Sequence, residues 1–264
     1  MKKAKESLPI GIFDSGVGAL TIYKEIKKLL PNEDIIYFGD TLRCPYGAKD
    51  AKTLRGYGKQ IINFLNEQDV KAIVIGCNTM SATALKYLQE YFEVPLIDVI
   101  SSGVKDALKV TTDGNIGLFA TKSTVASNVF DKLIKKNMPN AIVSAVSCPL
   151  FAPLVEEGFV ESDIVSIFVN MYVAELNKDI DTLILGCTHY PLLLDAIQSA
   201  IPNVTIIDPA IGTATALQQF LIEKNLQNSK HTKDIFYVTS DSENFDRQCY
   251  KFLQKSIKGI KVSL

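Results

Sequence analysis

An internal repeat is the feature that most constrains how this 264-residue chain can fold. The segment DVKAIVIGCNT, which begins at Asp69, matches DIDTLILGCTH, which begins at Asp179, position by position in residue type. Both segments place Gly-Cys directly after an apolar run, so that Cys77 and Cys187 lie 110 residues apart. Paired segments upstream and downstream recur at similar offsets. The chain is therefore predicted to consist of two related halves.

Short apolar runs alternate with amphipathic segments along both halves. Nine runs have the length of strands, and helices are expected at about 19–30, 50–67, 81–91, 160–177 and 191–200. This alternation predicts an α/β fold with mainly parallel sheets. We expect two pseudo-symmetric doubly wound domains, 1–99 plus 210–264 and 100–209, with the active site in the cleft between them. The tail after residue 209 is expected to pack onto the first half.

The composition narrows the classes of function. Hydrophobic residues make up 47% of the chain, but no apolar run is long enough to cross a bilayer, so no membrane partner is expected. A net charge of -1 without a basic stripe argues against nucleic acid. The N-terminus lacks the apolar region and cleavage site of a secretory signal, which predicts a cytoplasmic protein. The five cysteines are accordingly expected to be free thiols.

Two thiols at equivalent strand ends suit one type of reaction. If the halves face each other, Cys77 and Cys187 approach a bound molecule from opposite sides. Inverting a carbon stereocentre without a cofactor requires one group to remove a proton from one face and another to deliver a proton to the opposite face. A thiol has a reference pKa near 8.5 and can serve as either acid or base. Each cysteine taken singly is more typical of a small buried apolar residue, but the registered pair favours catalysis.

Each thiol needs a partner that holds or moves its proton. His189 lies two residues beyond Cys187, and Asp14 ends the first strand, beside the strand that leads to Cys77 in the usual sheet order. Glu156 is a candidate to orient His189, as carboxylates do in other acid and base systems. Alternatively, Asp14 caps the helix that begins near residue 19, His189 bonds a backbone carbonyl, and Glu156 is a solvated loop residue.

Neutral polar residues follow several predicted strand ends. Such hydroxyl and amide groups can bind carboxylates and an ammonium group without large competing charges. They are Ser15, Asn78, Thr79, Thr121 and Thr188. In the rigid loop RCPYG, Tyr46 and Gly47 are expected to line the cleft, whereas Cys44 is expected to be a packing residue.

The segment DSGVGAL resembles the start of a dinucleotide-binding turn only weakly. Its third glycine position holds Thr21, and Asp14 would repel a pyrophosphate. Gly16 and Gly18 are instead expected to let backbone amides approach a small carboxylate.

Five motifs in order along the chain resemble the glutamate racemase family, within the aspartate/glutamate racemase superfamily. They are GIFDSGVG, YFGDTLRCPYG, GCNTMSA, PLVEEG and LGCTHYPLL. The resemblance covers almost the whole chain and departs from the family at Ala19, where a second glycine is usual.

The resemblance implies cofactor-independent interconversion of L-glutamate and D-glutamate, the D isomer being a precursor of peptidoglycan. It implies Cys77 and Cys187 as the acid and base, assisted by Asp14 and by His189 with Glu156. It also implies a homodimer, no metal and no other cofactor. The implied substrate contacts are Asp14, Ser15, Tyr46, Gly47, Asn78, Thr79, Thr121, Thr188 and His189.

Other interpretations remain open at this point. An aspartate racemase or another cysteine-pair enzyme of the superfamily is the nearest alternative. A nucleotide-binding oxidoreductase is disfavoured by the poor glycine pattern, and a binding protein with two lobes would not need registered thiols. A zinc site at Cys187 and His189 lacks a second ligand pair in the sequence.

Overall fold

The computed structural model describes residues 4–240 and 242–264, which form two parallel β-sheets flanked by helices. The strands are β1 (Ile10–Asp14), β2 (Ile35–Gly39), β3 (Ala72–Ile75), β4 (Leu96–Asp98), β5 (Asn115–Ala120), β6 (Ile142–Ser147), β7 (Thr182–Gly186), β8 (Thr205–Ile207), β9 (Ile235–Val238) and β10 (Ile260–Lys261). The first nine correspond to the nine predicted runs, and the α/β class is confirmed.

The helices connect and cover these strands. They are α1 (Leu20–Leu29), α2 (Ala51–Glu67), α3 (Asn78–Tyr91), α4 (Val99–Val110), α5 (Lys122–Ser127), α6 (Val129–Asn137), α7 (Phe151–Glu157), α8 (Asp163–Val173), α9 (Leu194–Ala200), α10 (Pro209–Glu223) and α11 (Ser242–Leu253). Short 3₁₀ turns span Lys5–Ser7 and Tyr190–Leu193. No helix in the described part of the chain is long and apolar enough to span a membrane.

The two sheets repeat one strand order. The first sheet runs β10-β9-β2-β1-β3-β4 and the second runs β6-β5-β7-β8, with all neighbouring strands parallel. Four strands of the first sheet thus occur in the same order as the four of the second, with β1 equivalent to β5 and β3 to β7. Both β3 and β7 are buried throughout, as expected for strands covered on both faces. The sequence repeat is therefore also a repeat of topology.

The tail returns to the first sheet, because β9 pairs with β2. The sheets separate β1–β4 with β9 and β10 from β5–β8. The domain bounds 1–99 plus 210–264 and 100–209 stay a prediction. One apolar cluster contains residues of both sheets, and α10 packs against α1 and α4. The two halves therefore share a continuous core.

The repeated aspartates at the ends of β4 and β8 have a structural role. Asp98 accepts hydrogen bonds from the backbone N–H groups of Ile100 and Ser101, at 2.9 and 2.8 Å. Asp208 accepts one from the N–H of Ala210 at 2.9 Å. Each carboxylate therefore caps the helix that follows it, α4 or α10.

Several helix boundaries differ from the expected ones. Helix α3 begins at Asn78 rather than at residue 81, because Cys77 has extended backbone angles and serves directly as the cap. The segment expected as a helix over 191–200 opens with a 3₁₀ turn. Helix α8 is shorter than expected at both ends, since it spans Asp163–Val173 instead of 160–177. Sequence periodicity locates helices better than it locates their ends.

Candidate active site

The predicted acid and base residues lie at neighbouring strand ends. Phe13 of β1 is in register with Ile75 of β3, so Asp14 and Cys77 leave the first sheet at the same edge. This confirms the expected adjacency of their strands. Cys187 follows β7 at the equivalent position of the second sheet.

Both edges open onto one cavity of about 250 Å³. The structure places every predicted catalytic residue and every implied substrate contact in its lining, whereas Gly16 and Gly18 do not line it. The predicted residues in the lining are Asp14, Ser15, Tyr46, Gly47, Cys77, Asn78, Thr79, Thr121, Glu156, Cys187, Thr188 and His189. The two thiols thus line one cavity from different halves of the chain.

Cys77 lies in an environment that favours its neutral thiol. The side chain is buried at the start of α3. Burial raises the pKa of Cys77, and the charge of Asp14 raises it further, while hydrogen bonds from the Met80 N–H and the Ser15 hydroxyl oppose the shift. A thiol in this state is suited to deliver a proton, and it needs a nearby base before it can accept one.

Asp14 is a buried carboxyl group placed to be that base. Its Oδ2 accepts from the backbone N–H groups of Gly16 and Ala19, both at 3.3 Å, so it also stabilises the turn before α1. Burial raises the pKa of Asp14, although the charge of His189 and the N–H donors oppose the shift. The capping and proton-holding interpretations of Asp14 are therefore compatible.

Cys187 has a different partner arrangement. Its Sγ lies 3.8 Å from Nδ1 of His189, and Nε2 of the same ring lies 3.0 Å from Oε1 of Glu156. Burial by itself lowers the pKa of His189, but hydrogen bonding and charge from Cys187 and Glu156 outweigh it and raise that pKa to about 10. The imidazole is therefore protonated at neutral pH and donates from both nitrogens.

Hydroxyl groups of the two halves form hydrogen bonds with each other in the wall of the cavity. Thr79 of α3 lies 2.9 Å from the hydroxyl oxygen of Thr121, which caps α5, and Thr121 lies 3.0 Å from that of Thr124. Asn78 is buried, and its Oδ1 has no hydrogen-bond partner. An unsatisfied buried oxygen in a cavity wall is free to accept from a ligand donor such as an ammonium group.

The RCPYG loop contributes shape rather than a tyrosine hydroxyl. The hydroxyl of Tyr46 donates to Asp40, which also accepts from the Thr239 hydroxyl at 2.9 Å. Tyr46 therefore presents its ring to the cavity. Gly47 packs closely on Thr121, since a Cβ at residue 47 would lie 3.1 Å from the Thr121 Cβ.

Gly18 lets the first half approach Thr188 and His189 of the second half closely. A Cβ at this position would lie 2.1 Å from Oγ1 of Thr188 and 2.8 Å from the ring of His189. Only glycine leaves room for this contact. Gly18 was expected to admit a ligand, but in the structure it admits the corner of the opposite half.

The arrangement of His, Cys, Asp and Glu side chains in the described residues determines whether a metal ion could bind. No group of three or more His, Cys, Asp or Glu among residues 4–240 and 242–264 has the arrangement of a metal site. The pair Cys187 and His189 is therefore not extended into a zinc site by any described neighbour.

The comparisons with known proteins agree with the motifs. The family model described as Asp/Glu/Hydantoin racemase matches residues 10–217. The chain is 42% identical over 260 residues to glutamate racemase 1 of Caldanaerobacter subterraneus, covering 97% of each chain. It belongs to the glutamate racemases of this family.

Solved structures of glutamate racemases share the fold. The enzyme from Bacillus anthracis superposes with a TM-score of 0.95 at 37% identity, covering 98% of each chain. The enzyme from Francisella tularensis, solved in complex with D-glutamate, superposes with a TM-score of 0.92 at 41% identity, again over 98% of each chain.

The cavity of this racemase has further lining residues that the sequence did not single out for the site. Cys148 and Pro149 line it from the second half, and Lys122 lies at the start of α5. Cys44, expected as a packing residue, lines it too. The paired Cys-Pro dipeptides at 44–45 and 148–149 were the available signal, because they occupy equivalent places in the repeat.

Proposed function

We propose that this protein is a cofactor-independent glutamate racemase that interconverts L- and D-glutamate by two-base proton transfer. The observation that carries the proposal is the placement of Cys77 and Cys187, from equivalent corners of two related halves, on one cavity of about 250 Å³. The family membership favours glutamate over aspartate, because the similar enzymes described above are glutamate racemases.

The two thiols divide the chemistry. One thiolate removes the α-proton of glutamate, and the opposite thiol donates a proton to the other face, so that the configuration inverts. In the reverse direction the thiols exchange roles. Asp14 holds or accepts the proton of Cys77, and protonated His189 donates to the sulfur of Cys187 while Glu156 fixes the ring.

The carbanionic transition state is stabilised by neutral donors. The α-proton of an amino acid is weakly acidic, so charge that develops on the α-carboxylate needs hydrogen-bond donors already in position. The N-terminal N–H groups of α3 and α5 and the hydroxyls of Ser15, Thr79, Thr121 and Thr188 are the candidates. The free oxygen of Asn78 is suited to the substrate ammonium.

We further propose that the enzyme acts in the cytoplasm as a homodimer and supplies D-glutamate for peptidoglycan synthesis. We expect glutamate to be its partner molecule, with no nucleic acid or membrane partner.

The direct test is incubation of the purified protein with L-glutamate in D₂O without added cofactor. Loss of the α-proton NMR signal together with loss of optical rotation is the expected result. Exchange without loss of rotation would indicate one-sided proton transfer and contradict racemisation. If a folded protein changes neither signal, the proposal is wrong, and the same assay with L-aspartate then tests the nearest alternative.

A further inference from the structure

Helix α11 belongs to the tail, whose strand β9 joins the first sheet, yet it contacts the acid and base pair of the second half. The ring of Phe252 meets the imidazole of His189 edge to face, with ring centroids 5.9 Å apart and planes at 88°. The neighbouring Lys251 donates from Nζ to the backbone oxygen of Glu156 at 3.1 Å. Two consecutive residues of α11 therefore contact His189 and Glu156, the two residues that assist Cys187.

The contact with Phe252 adds to several other contacts that surround the imidazole of His189. Nδ1 faces Cys187, Nε2 faces Glu156, and the ring packs against Gly18 so closely that a Cβ there would lie 2.8 Å away. Phe252 is buried and closes a further side. Rotation of the imidazole would break either hydrogen bond, so the phenyl ring helps to fix the orientation in which both form.

The contact with Lys251 anchors the carboxylate from behind. Helix α7 ends at Glu157, and Gly158 follows with a φ of 91°, so the carbonyl of Glu156 is among those left without an intrahelical partner. An ammonium group at a helix C-terminus satisfies such a carbonyl. The side chain of Glu156 is 35% exposed and is not held by burial. Its position therefore depends on how firmly its backbone is fixed.

We infer that Phe252 and Lys251 are positioning residues for proton transfer at Cys187, acting through His189 and Glu156. The inference rests on the proposed two-thiol function. Cys77 has no such support from α11, because its partners Asp14 and Ser15 are the last residue of β1 and the residue that follows it. We therefore expect α11 to affect proton transfer at Cys187 and not at Cys77.

The test measures proton transfer at the two thiols separately, in variants that retain only Cys77 or only Cys187 of the catalytic pair. A variant with one thiol can exchange the α-hydrogen of only one glutamate enantiomer with D₂O, without inversion. Phe252→Leu should slow this exchange about 10-fold in the Cys77→Ala background and leave it unchanged in the Cys187→Ala background, because small misplacements of reacting groups cost rate steeply. Equal losses in both backgrounds would indicate a general structural effect and overturn the inference.

Matched variants guard against misfolding. Phe245→Leu removes another buried ring of α11, one that packs on Tyr37 and Phe236 and not on His189, so it should spare both exchange rates per folded molecule. Lys251→Met changes an exposed residue and should slow the same reaction as Phe252→Leu. Lys251→Arg retains a donor and should restore the rate; failure of Lys251→Met to slow it would remove Lys251 from the inference.

An NMR titration keeps the inference testable apart from activity. The chain has two histidines, so a His231→Gln variant assigns the imidazole signals of His189. The groups that face this ring are Cys187, Glu156 and Asp14. Phe252→Leu should lower the pKa of His189 from about 10 toward 6.5 as its two hydrogen bonds loosen. An unchanged titration would overturn the positioning role, whereas absence of glutamate turnover in the wild type would contradict only the proposed function.

Discussion

Sγ of Cys187 lies 3.8 Å from Nδ1 of His189, while the group that acts electrostatically on Cys77 is the carboxyl group of Asp14. The two related halves therefore surround their thiols with opposite charge types. The charge of Asp14 adds to burial in raising the pKa of Cys77, whereas the partner of Cys187 is the imidazole of His189. Equivalent places in the fold thus pair one thiol with a carboxyl group and the other with an imidazole.

This asymmetry predicts a pH-dependent contribution of His189 to stability. Its pKa in the folded protein, about 10, is above the unfolded value of 6.5, so the contribution is full below pH 6.5 and is lost as pH rises through 10. The gap in unfolding free energy between wild type and His189→Asn should shrink over that range. Urea denaturation at pH 6, 8 and 10 measures it; a gap that grows with pH would contradict the assigned charge.

Serine in place of either thiol should abolish racemisation, because a hydroxyl is a far weaker acid than a thiol. We expect Cys77→Ser and Cys187→Ser each to lower kcat by at least about 10²-fold, the lower end of the usual contribution of a positioned acid or base. Cys249→Ser is the control, since this buried thiol of α11 does not line the cavity. A Cys77→Ser or Cys187→Ser variant with near wild-type turnover in both directions would rule out two-base chemistry.

Asp14→Asn should raise stability at pH 7 and lower activity. Burial raises the pKa of Asp14, so the ionised carboxylate costs folding free energy as pH rises above the unfolded value of 3.8. An amide oxygen can still accept from Gly16 and Ala19 but cannot take the proton of Cys77. A higher Tm together with a loss in kcat of about 10²-fold is expected. Reduced Tm would show that the capping role outweighs the cost of burying charge.

Many of the cavity residues could be predicted from the sequence because of where they lie in the fold. In parallel sheets ligands bind beyond the carboxyl ends of the strands, so residues directly after apolar runs were the natural candidates. The duplicated Gly-Cys then selected Cys77 and Cys187 from the five cysteines. A local pattern was sufficient because strand order brings these corners to one edge.

Contacts between distant segments could not be predicted in this way. The Tyr46 hydroxyl turns away from the cavity to Asp40, which is held in turn by Thr239 from the tail. Phe252 reaches His189 from a helix 63 positions later in the chain. Such pairs depend on how elements pack, and neither periodicity nor motif spacing records that. The two-residue strand β10 is likewise too short for a periodic signal.

Gly18→Ala should impair activity more than its neighbour Gly16→Ala. A methyl group at residue 18 collides with Thr188 and His189, whereas at residue 16 it meets only Cys44 Sγ at 3.5 Å, an ordinary contact. Displacing the His189 corner by about 1 Å is enough to lower kcat/KM about 10²-fold. Steady-state kinetics of both variants, with Tm measured alongside, checks this. Equal kinetics would show that the loop shifts without moving His189.

The buried pair of Lys71 and Glu33 offers a test of what joins the start of β3 to the rest of the chain. Nζ of Lys71 lies 2.5 Å from Oε2 of Glu33 and also donates to the backbone oxygens of Glu6 and Leu226. Both side chains are 2% exposed. Removing one member of such a pair leaves the other charge buried without compensation, which costs about 3–5 kcal/mol.

Lys71→Met should therefore destabilise the protein by that amount, measured by urea denaturation. Glu33→Gln added to it removes the uncompensated charge and keeps an acceptor for the N–H of Asn228, so the double variant should recover part of the loss. If the destabilisation of the double variant equals the sum of those of Lys71→Met alone and Glu33→Gln alone, the uncompensated charge is not the cause. The broken bonds to Glu6 and Leu226 then account for the destabilisation instead. Because Lys71 directly precedes the strand that leads to Cys77, activity per folded molecule should stay unchanged if the pair stabilises the fold without shaping the site.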